Sequence, residues 1–219
     1  LESSMESVLA GQNGRYDYAN GAGAIIPGSQ QFITEAKPGT GIQLTIDRDV
    51  QWVAQNAISA AVKSTRAASG TVVVMDPKTG EILAQASAPN FDPNNKKSIT
   101  VESLRNPAVQ DVYEPGSTGK IITIASAIEE GKTTPESVWT IPYSIKYKNA
   151  KFHDAEKHSV ERLTTAGVLA QSSNVGAIQI GALISNDKFY EYLRKFGIGQ
   201  SSGSHLPGES PGLLPHVDT

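Results

Sequence analysis

Ser117 and Lys120 stand three residues apart in "YEPGSTGK", at the mouth of the apolar run "IITIASAIEEG". At i, i+3 helical spacing the two side chains share one face and come within reach of each other. A serine hydroxyl is a weak nucleophile until a base takes its proton. A lysine can be that base only if burial and nearby positive charge lower its pKa, and an apolar helix entering a core supplies the burial. The N–H groups of the first turn would also favour negative charge developing on a bound carbonyl oxygen. The plainer alternative makes Ser117 a helix cap and Lys120 a solvated lysine, and a short motif needs structural context to displace it. A second candidate is "AQSSNVGA", residues 170–177, a Ser-x-Asn turn between two helical segments. It can point the Ser172 hydroxyl and the Asn174 carboxamide into one cleft, the first to relay a proton, the second to hold a peptide or a lysine amine. Its plainer reading is Ser172 as a cap and Asn174 as a turn residue.

The elements that must position these groups follow from periodicity and turn chemistry. In residues 1–43, small and glycine-rich, "ANGAG" marks a hairpin between two short strands. So little apolar content makes a poor free-standing domain, so the segment reads as the tail of a larger module. From "LTIDRDVQ" onward the pattern becomes helical, with Asp47 or Asp49 as the cap and Val50, Val53, Ala54, Ala57, Ile58, Ala61 and Val62 at helical spacing. "GTVVVMDPKTGEILAQAS" reads as an antiparallel hairpin, with Val72–Val74 as a central strand apolar on both faces. Residues 88–113 are expected to be loop, 117–130 a helix stopped by Gly131, and 132–162 polar and irregular. Helices are expected over about 164–171 and 175–185, and a last one starts at Asp187 as a cap and ends at Gly197.

Composition excludes several function classes. Of 219 residues 38% are hydrophobic and 19% charged, which describes a globular chain, not a disordered one. A net charge of −3 without a basic block argues against nucleic acid. The absence of cysteine rules out disulfides, thiolate metal sites and a cysteine nucleophile. His153, His158, His205 and His216 are scattered, and the i, i+5 pair in "HDAEKH" suits no single helical face, so a metal site is not expected. Glu114 reads as a solvated loop carboxylate, and Trp52 and Trp139 as packing residues. No run reaches the length of a membrane span. The chain opens on Leu1 inside a helix already under way and reads as an excised segment, with any anchor upstream of it.

Taken in order, these motifs resemble the class B penicillin-binding proteins, peptidoglycan D,D-transpeptidases, most of all the division-associated type. S-x-x-K followed by S-x-N is that family's pattern. "LTIDRDVQ", "GTVVVMDPKTGEILAQASAPNFDPN", "NPAVQDVYEPGSTGK", "LAQSSNVGA" and "LPGESPG" resemble family landmarks in family order. Residues 1–43 resemble the end of the N-terminal pedestal, and 44–219 the first portion of the transpeptidase domain. The resemblance implies an α+β fold of the serine β-lactamase and penicillin-binding-protein type, an antiparallel sheet with helical clusters, incomplete at its C-terminus. It implies Ser117 as nucleophile, Lys120 as general base, Ser172 as proton relay and Asn174 as a positioner of Lys120 and of the substrate amide. No cofactor or metal is implied. The implied partners are D-Ala-D-Ala stem peptides, β-lactams, membrane division proteins and a glycosyltransferase, with the catalytic domain outside the cytoplasm on a single-pass anchor.

Two departures from the pattern stand out. Gly119 precedes the motif lysine where the family carries a bulky residue, which weakens the helix start. The family's third motif, Lys-Ser/Thr-Gly, is expected beyond Thr219. "Lys78-Thr79-Gly80" spells it but precedes the nucleophile and reads as the turn of a hairpin. The alternatives are a non-catalytic fragment of such an enzyme, or a serine β-lactamase or β-lactam sensor, neither of which is expected to carry residues 1–43.

Overall fold

The computed structural model describes residues 2–215. The chain forms two compact units, one running to Asp111 and including His205–Glu209, the other Val112–Ser204 with the segment from Ser210.

The first unit begins with α1 (Glu2–Leu9), then β1 (Arg15–Asp17), β2 (Asn20–Gly21), β3 (Ala24–Ile25) and β4 (Gln31–Thr34). β1 pairs with β4, and β2 with β3, both antiparallel. The β2–β3 hairpin turns on Ala22 and Gly23, both at positive φ (51° and 86°), the backbone a two-residue hairpin turn requires. Every residue of β1, β2 and β3 is exposed, so these strands build no core of their own.

Helix α2 (Arg48–Thr65) is capped by Asp47, whose Oδ1 accepts the Asp49 and Val50 N–H groups at 2.9 Å each. Asp49 lies in the first turn, where its charge suits the helix dipole. Val50, Ala54 and Ile58 pack on β5 (Gly70–Met75) and β6 (Ile82–Ala88), against Val72, Val74, Ala84 and Ala86. The approach is close enough that a Cβ on Gly70 would meet Ile58 Cδ1 at 2.7 Å. Along β6, Gln51 receives the Gln85 N–H (2.8 Å) and donates to the Gln85 carbonyl (3.0 Å), while Gln55 donates to Ser87 O (2.9 Å). Side chains of α2 thus satisfy the outer backbone groups of β6. β5 has no such cover: among the described residues it pairs with β6 alone. The strand expected to be central therefore has a partner on one side alone among the described residues, and Val73 and Met75 are exposed on its second face. Trp52 differs too, being 70% exposed because it falls on the face of α2 turned from the strands, beside the exposed Val53. The loop of 88–113 holds only a 3₁₀ turn at Lys96–Ser98 and the short α3 (Pro107–Gln110).

In the second unit a 3₁₀ turn (Gly116–Thr118) runs into α4 (Gly119–Glu129). The polar stretch beyond it is not irregular. It forms β7 (Val138–Ile141), β8 (Ser144–Tyr147), β9 (Ala150–His153) and β10 (Glu161–Thr164), with β7 paired to β10 and β8 to β9. Each strand has only four residues: β7 and β10 alternate in burial, but β9 is wholly exposed, and runs this short give too few repeats to read from sequence. Three helices follow: α5 (Thr165–Ala170), α6 (Asn174–Gly181) and α7 (Asn186–Lys195). Ser185, not Asp187, caps α7, accepting the Lys188 N–H, and Asp187 takes the first-turn place instead. Ile124, Ala127, Ile141, Val168, Val175, Ile180 and Ile184 make the core, with Trp139 and Phe189 packed on it. This core seats α4, α5 and α6 together, and with them the two motifs that could do chemistry.

Candidate active site

Ser117 sits in the 3₁₀ turn and Lys120 in the first turn of α4, after Gly116 has reversed the chain at φ 59°. Lys120 Nζ lies 3.3 Å from Ser117 Oγ, as the i, i+3 spacing requires. The same nitrogen donates to Ser172 Oγ at 3.0 Å and to the Ser172 carbonyl at 2.5 Å, 52 residues away in sequence. Ser172 is a non-glycine residue at φ 55°, a left-handed conformation costing roughly 1 kcal/mol or more. That conformation accompanies the turning of both its oxygens onto one amine. Three of the four sequence candidates thus meet at Lys120. The fourth, Asn174, is half-buried at the start of α6 and makes no hydrogen bond to Lys120; its Nδ2 donates to the His153 carbonyl at 3.0 Å.

The Lys120 amine is held below its ordinary value. Burial does this, because removing water penalises the ammonium, and the Asp154 carboxylate partly opposes it. Of the two conditions for a basic lysine, burial and nearby positive charge, burial is the one at work. Gly119 has helical backbone (φ −63°, ψ −20°), and a Cβ there would meet only Pro115 Cγ at an ordinary 3.7 Å. The position therefore tolerates glycine without needing it.

Three further residues shape this region: Asp154 and Ser173, which gave no sequence signal, and His158, weighed from sequence only as a metal ligand. Asp154, directly after β9, is buried, with only 7% of its surface exposed. Its carboxylate accepts the Ser173 hydroxyl (2.9 and 3.1 Å to the two oxygens) and the Val175 N–H (2.9 Å). Ser173, not Ser172, caps α6, accepting the Gly176 N–H at 2.9 Å. His158 directs Nε2 at Asp154 Oδ2 (3.1 Å) and Nδ1 at the Ser159 carbonyl (2.6 Å). Burial alone would raise the Asp154 carboxyl. The hydrogen bonds from Val175, Ser173, His158 and the Asn174 N–H outweigh it and hold the group below its usual range. "HDAEKH" offers two histidines and an aspartate, but only chain return from β9 to α6 brings them to the Ser-x-Asn turn. His216 lies outside the described residues.

Beside Ser117 opens a cavity of about 530 Å³, walled by residues 154–158 and 171–174 with Glu161. On the other side of the turn, Lys120 and Asn174 border a more apolar hollow of about 400 Å³ with Tyr147, Phe152 and Ile178. The arrangement presents an exposed hydroxyl, an amine with a lowered pKa, and a second hydroxyl on that same amine. This is the equipment of a nucleophile with a base and a proton relay. Lys78, Thr79 and Gly80 by contrast form a turn, not a strand, with Asp76 Oδ1 accepting the Lys78 and Thr79 N–H groups at 2.7 and 3.2 Å.

Residues 70–218 match the family model of the penicillin binding protein transpeptidase domain. Penicillin-binding protein PbpB of Mycolicibacterium smegmatis is 42% identical over 220 residues, covering 100% of this chain and 34% of that protein. The peptidoglycan D,D-transpeptidase FtsI of Escherichia coli is 34% identical over 217 residues, covering 98% of this chain and 36% of that protein. The chain thus spans about a third of the length of these relatives. Among solved structures, apo penicillin binding protein 3 of Mycobacterium tuberculosis matches with a TM-score of 0.86 at 36% identity, over 99% of this chain and 45% of that one. The same protein complexed with ampicillin matches with a TM-score of 0.85 at 36% identity, over 98% and 44% of the two chains.

Proposed function

The chain belongs to the penicillin-binding protein transpeptidase family, and we propose that its full-length protein is a serine D,D-transpeptidase that cross-links peptidoglycan stem peptides. The observation that carries this reading is the Lys120 amine lying between the hydroxyls of Ser117 and Ser172. In its neutral form the amine keeps two hydrogens for the Ser172 oxygens and turns its lone pair to Ser117. Ser117 Oγ then gives its proton to Lys120 and attacks the carbonyl of the D-Ala-D-Ala bond. The oxyanion develops near the N–H of Ser117, at the start of α4. The C–N bond breaks, the proton passes through Ser172 to the departing amine, and terminal D-alanine leaves an acyl ester on Ser117. The amine of a neighbouring stem then attacks the ester and gives its proton to Lys120, which passes it to Ser117 Oγ as the ester C–O bond breaks, leaving the cross-link and the free serine. Asn174 orients the substrate amide. The 3.3 Å Ser117–Lys120 separation is long for proton transfer and shortens when substrate fills the site.

A β-lactam carries a strained amide of the same shape and acylates Ser117 in the same way. The similarity to a protein crystallised with ampicillin supports this. The relatives align with the whole chain, residues 1–43 included, which favours a transpeptidase over a lone β-lactamase. The reading extends to septal cell-wall synthesis, with division proteins and a glycosyltransferase as partners and an upstream anchor holding the catalytic domain outside the cytoplasm. Among the described residues no helix is long and apolar enough to cross a membrane. The deciding experiment is labelling of the full-length protein by a fluorescent penicillin. Ser117→Ala is expected to abolish the covalent adduct, and an adduct formed at the wild-type rate would overturn the assignment.

A further inference from the structure

The Ser172–Asn174 turn is tied down from outside its own helices. Asn174 Nδ2 bonds the His153 carbonyl, while Ser173 Oγ and the Val175 N–H bond the carboxylate of the next residue, Asp154. His153 at the end of β9 and Asp154 just after it thus hold three consecutive residues, Ser173, Asn174 and Val175, where the turn enters α6. Ser172, just before them, is the one left in the unfavourable left-handed conformation with both oxygens on Lys120. Such a conformation persists only where its surroundings over-determine it. Ser173 receives only the Gly176 N–H of α6, and the Asp154 carboxylate takes the Val175 N–H, so Asp154 completes the cap while it also holds the Ser173 hydroxyl from 19 residues away. A carboxylate buried to this depth is costly unless it is paired. Its partner is His158, whose two ring nitrogens both face acceptors, Asp154 Oδ2 and the Ser159 carbonyl. Only an imidazolium can donate to both.

We propose that Asp154, braced by His158, is a positioning residue that clamps the 172–174 turn so that Ser172 is presented to Lys120. The proposal rests on the acyl-transfer reading of Ser117 and Lys120. It assigns the "HDAEKH" run a part in the acylation step without contact with the reacting atoms. Losing the clamp lets Ser172 relax from its left-handed conformation, and Lys120 loses two of its three hydrogen-bond partners together.

The test is rapid-quench acylation of the full-length protein by a fluorescent penicillin, reading the rate constant, the half-saturating concentration and the labelled fraction separately. Asp154→Asn keeps the size but removes the charge, and Asp154→Ala removes the clamp. Both are expected to slow acylation about 10–100-fold, the scale of an ångström-level misplacement, with half-saturation little changed and the labelled fraction near that of wild type. His158→Gln retains a donor toward Asp154 and is expected to slow it by about 3–10-fold. A merely structural role would lower the labelled fraction while the remaining molecules react at the wild-type rate constant, and that result overturns the proposal. If both Asp154 variants fail to fold, His158→Gln decides alone: an unchanged rate constant is fatal. Ser117→Ala, run alongside, separates the two levels, since an adduct there would refute the acyl-transfer reading itself.

Discussion

Two lysines in this chain follow the same short-motif logic and end in opposite circumstances. Lys78 belongs to a turn whose hydrogen bonds all come from within a few residues: Asp76 side chain to Lys78 and Thr79, Asp76 carbonyl to Gly80. Its N–H groups are met locally, and among the described residues nothing distant converges on its amine. Lys120 is half-buried, and its amine is met by a residue 52 positions on. A motif closed by its own neighbours is a turn. One completed by distant chain is a candidate site, because only long-range packing removes water and aligns a second group.

The widest gap between the two lysines should appear in acylation. Lys120→Ala is expected to slow labelling by about 10²–10⁴, the usual loss with a general base. Lys78→Ala should leave the rate within twofold and stability within about 0.5 kcal/mol, as for surface changes generally. A labelling time course on both full-length variants checks this, and equal losses would dissolve the contrast.

The next effect tests whether packing behind the turn is as tight as its hydrogen bonds imply. A Cβ on Gly176 would lie 2.7 Å from both methyl carbons of Val168 and 3.2 Å from Ser173 Oγ. Gly176→Ala is therefore expected to cost about 1–3 kcal/mol by overpacking where α5 meets α6. The urea midpoint of the full-length protein reads it, and no shift would mean the two helices part easily.

Titration sharpens the comparison further. Acylation needs neutral Lys120, so its rate should rise about tenfold per pH unit and level off below the ordinary lysine value of 10.5, since burial lowers this amine. A plateau reached only at or above 10.5 would mark Lys120 as solvated. His158 acts on stability with the opposite sense. Its proton is held more tightly than usual, chiefly by the Ser159 carbonyl and then by Asp154 and Glu161, with the Tyr143 ring edge-on at 5.9 Å. Its stabilisation is full below the ordinary 6.5 and is lost as pH rises through the raised folded value. Denaturation midpoints on either side of 6.5, in wild type and His158→Gln, should show a loss in the wild type alone.

The smallest expected effect is at Gly119. Its backbone is already helical and its would-be Cβ has room. Gly119→Ala should stabilise by about 0.4–1 kcal/mol through the unfolded chain while acylation stays unchanged. A loss of labelling would show that a bare backbone beside Lys120 serves the chemistry.

What the sequence alone determined lay within a turn or two of chain, though even there Ser185 took the α7 cap expected of Asp187. Ser117 and Lys120 share a face because i, i+3 residues on a helix must. Asp47 caps α2, Gly131 ends α4 with φ 63°, and the Asp76–Glu81 segment turns, each through hydrogen bonds or backbone freedom local to a few residues. Family membership was legible for the same reason, being carried by short motifs in order. The four short strands of the second unit were not, because each has only four residues, too few for a period to stand out from a polar stretch. Nor was the exposure of Trp52, since which face of α2 meets the strands is decided by the strands. The tertiary structure alone decided the site's inner wall. Asp154 and Ser173 meet across 19 residues, and Lys120 and Ser172 across 52. No local pattern encodes those distances; they follow from the shared core of Ile124, Val168 and Val175 drawing α4, α5 and α6 together. That same burial lowers the Lys120 pKa, so the reactivity of the lysine belongs to the fold and not to the motif that contains it.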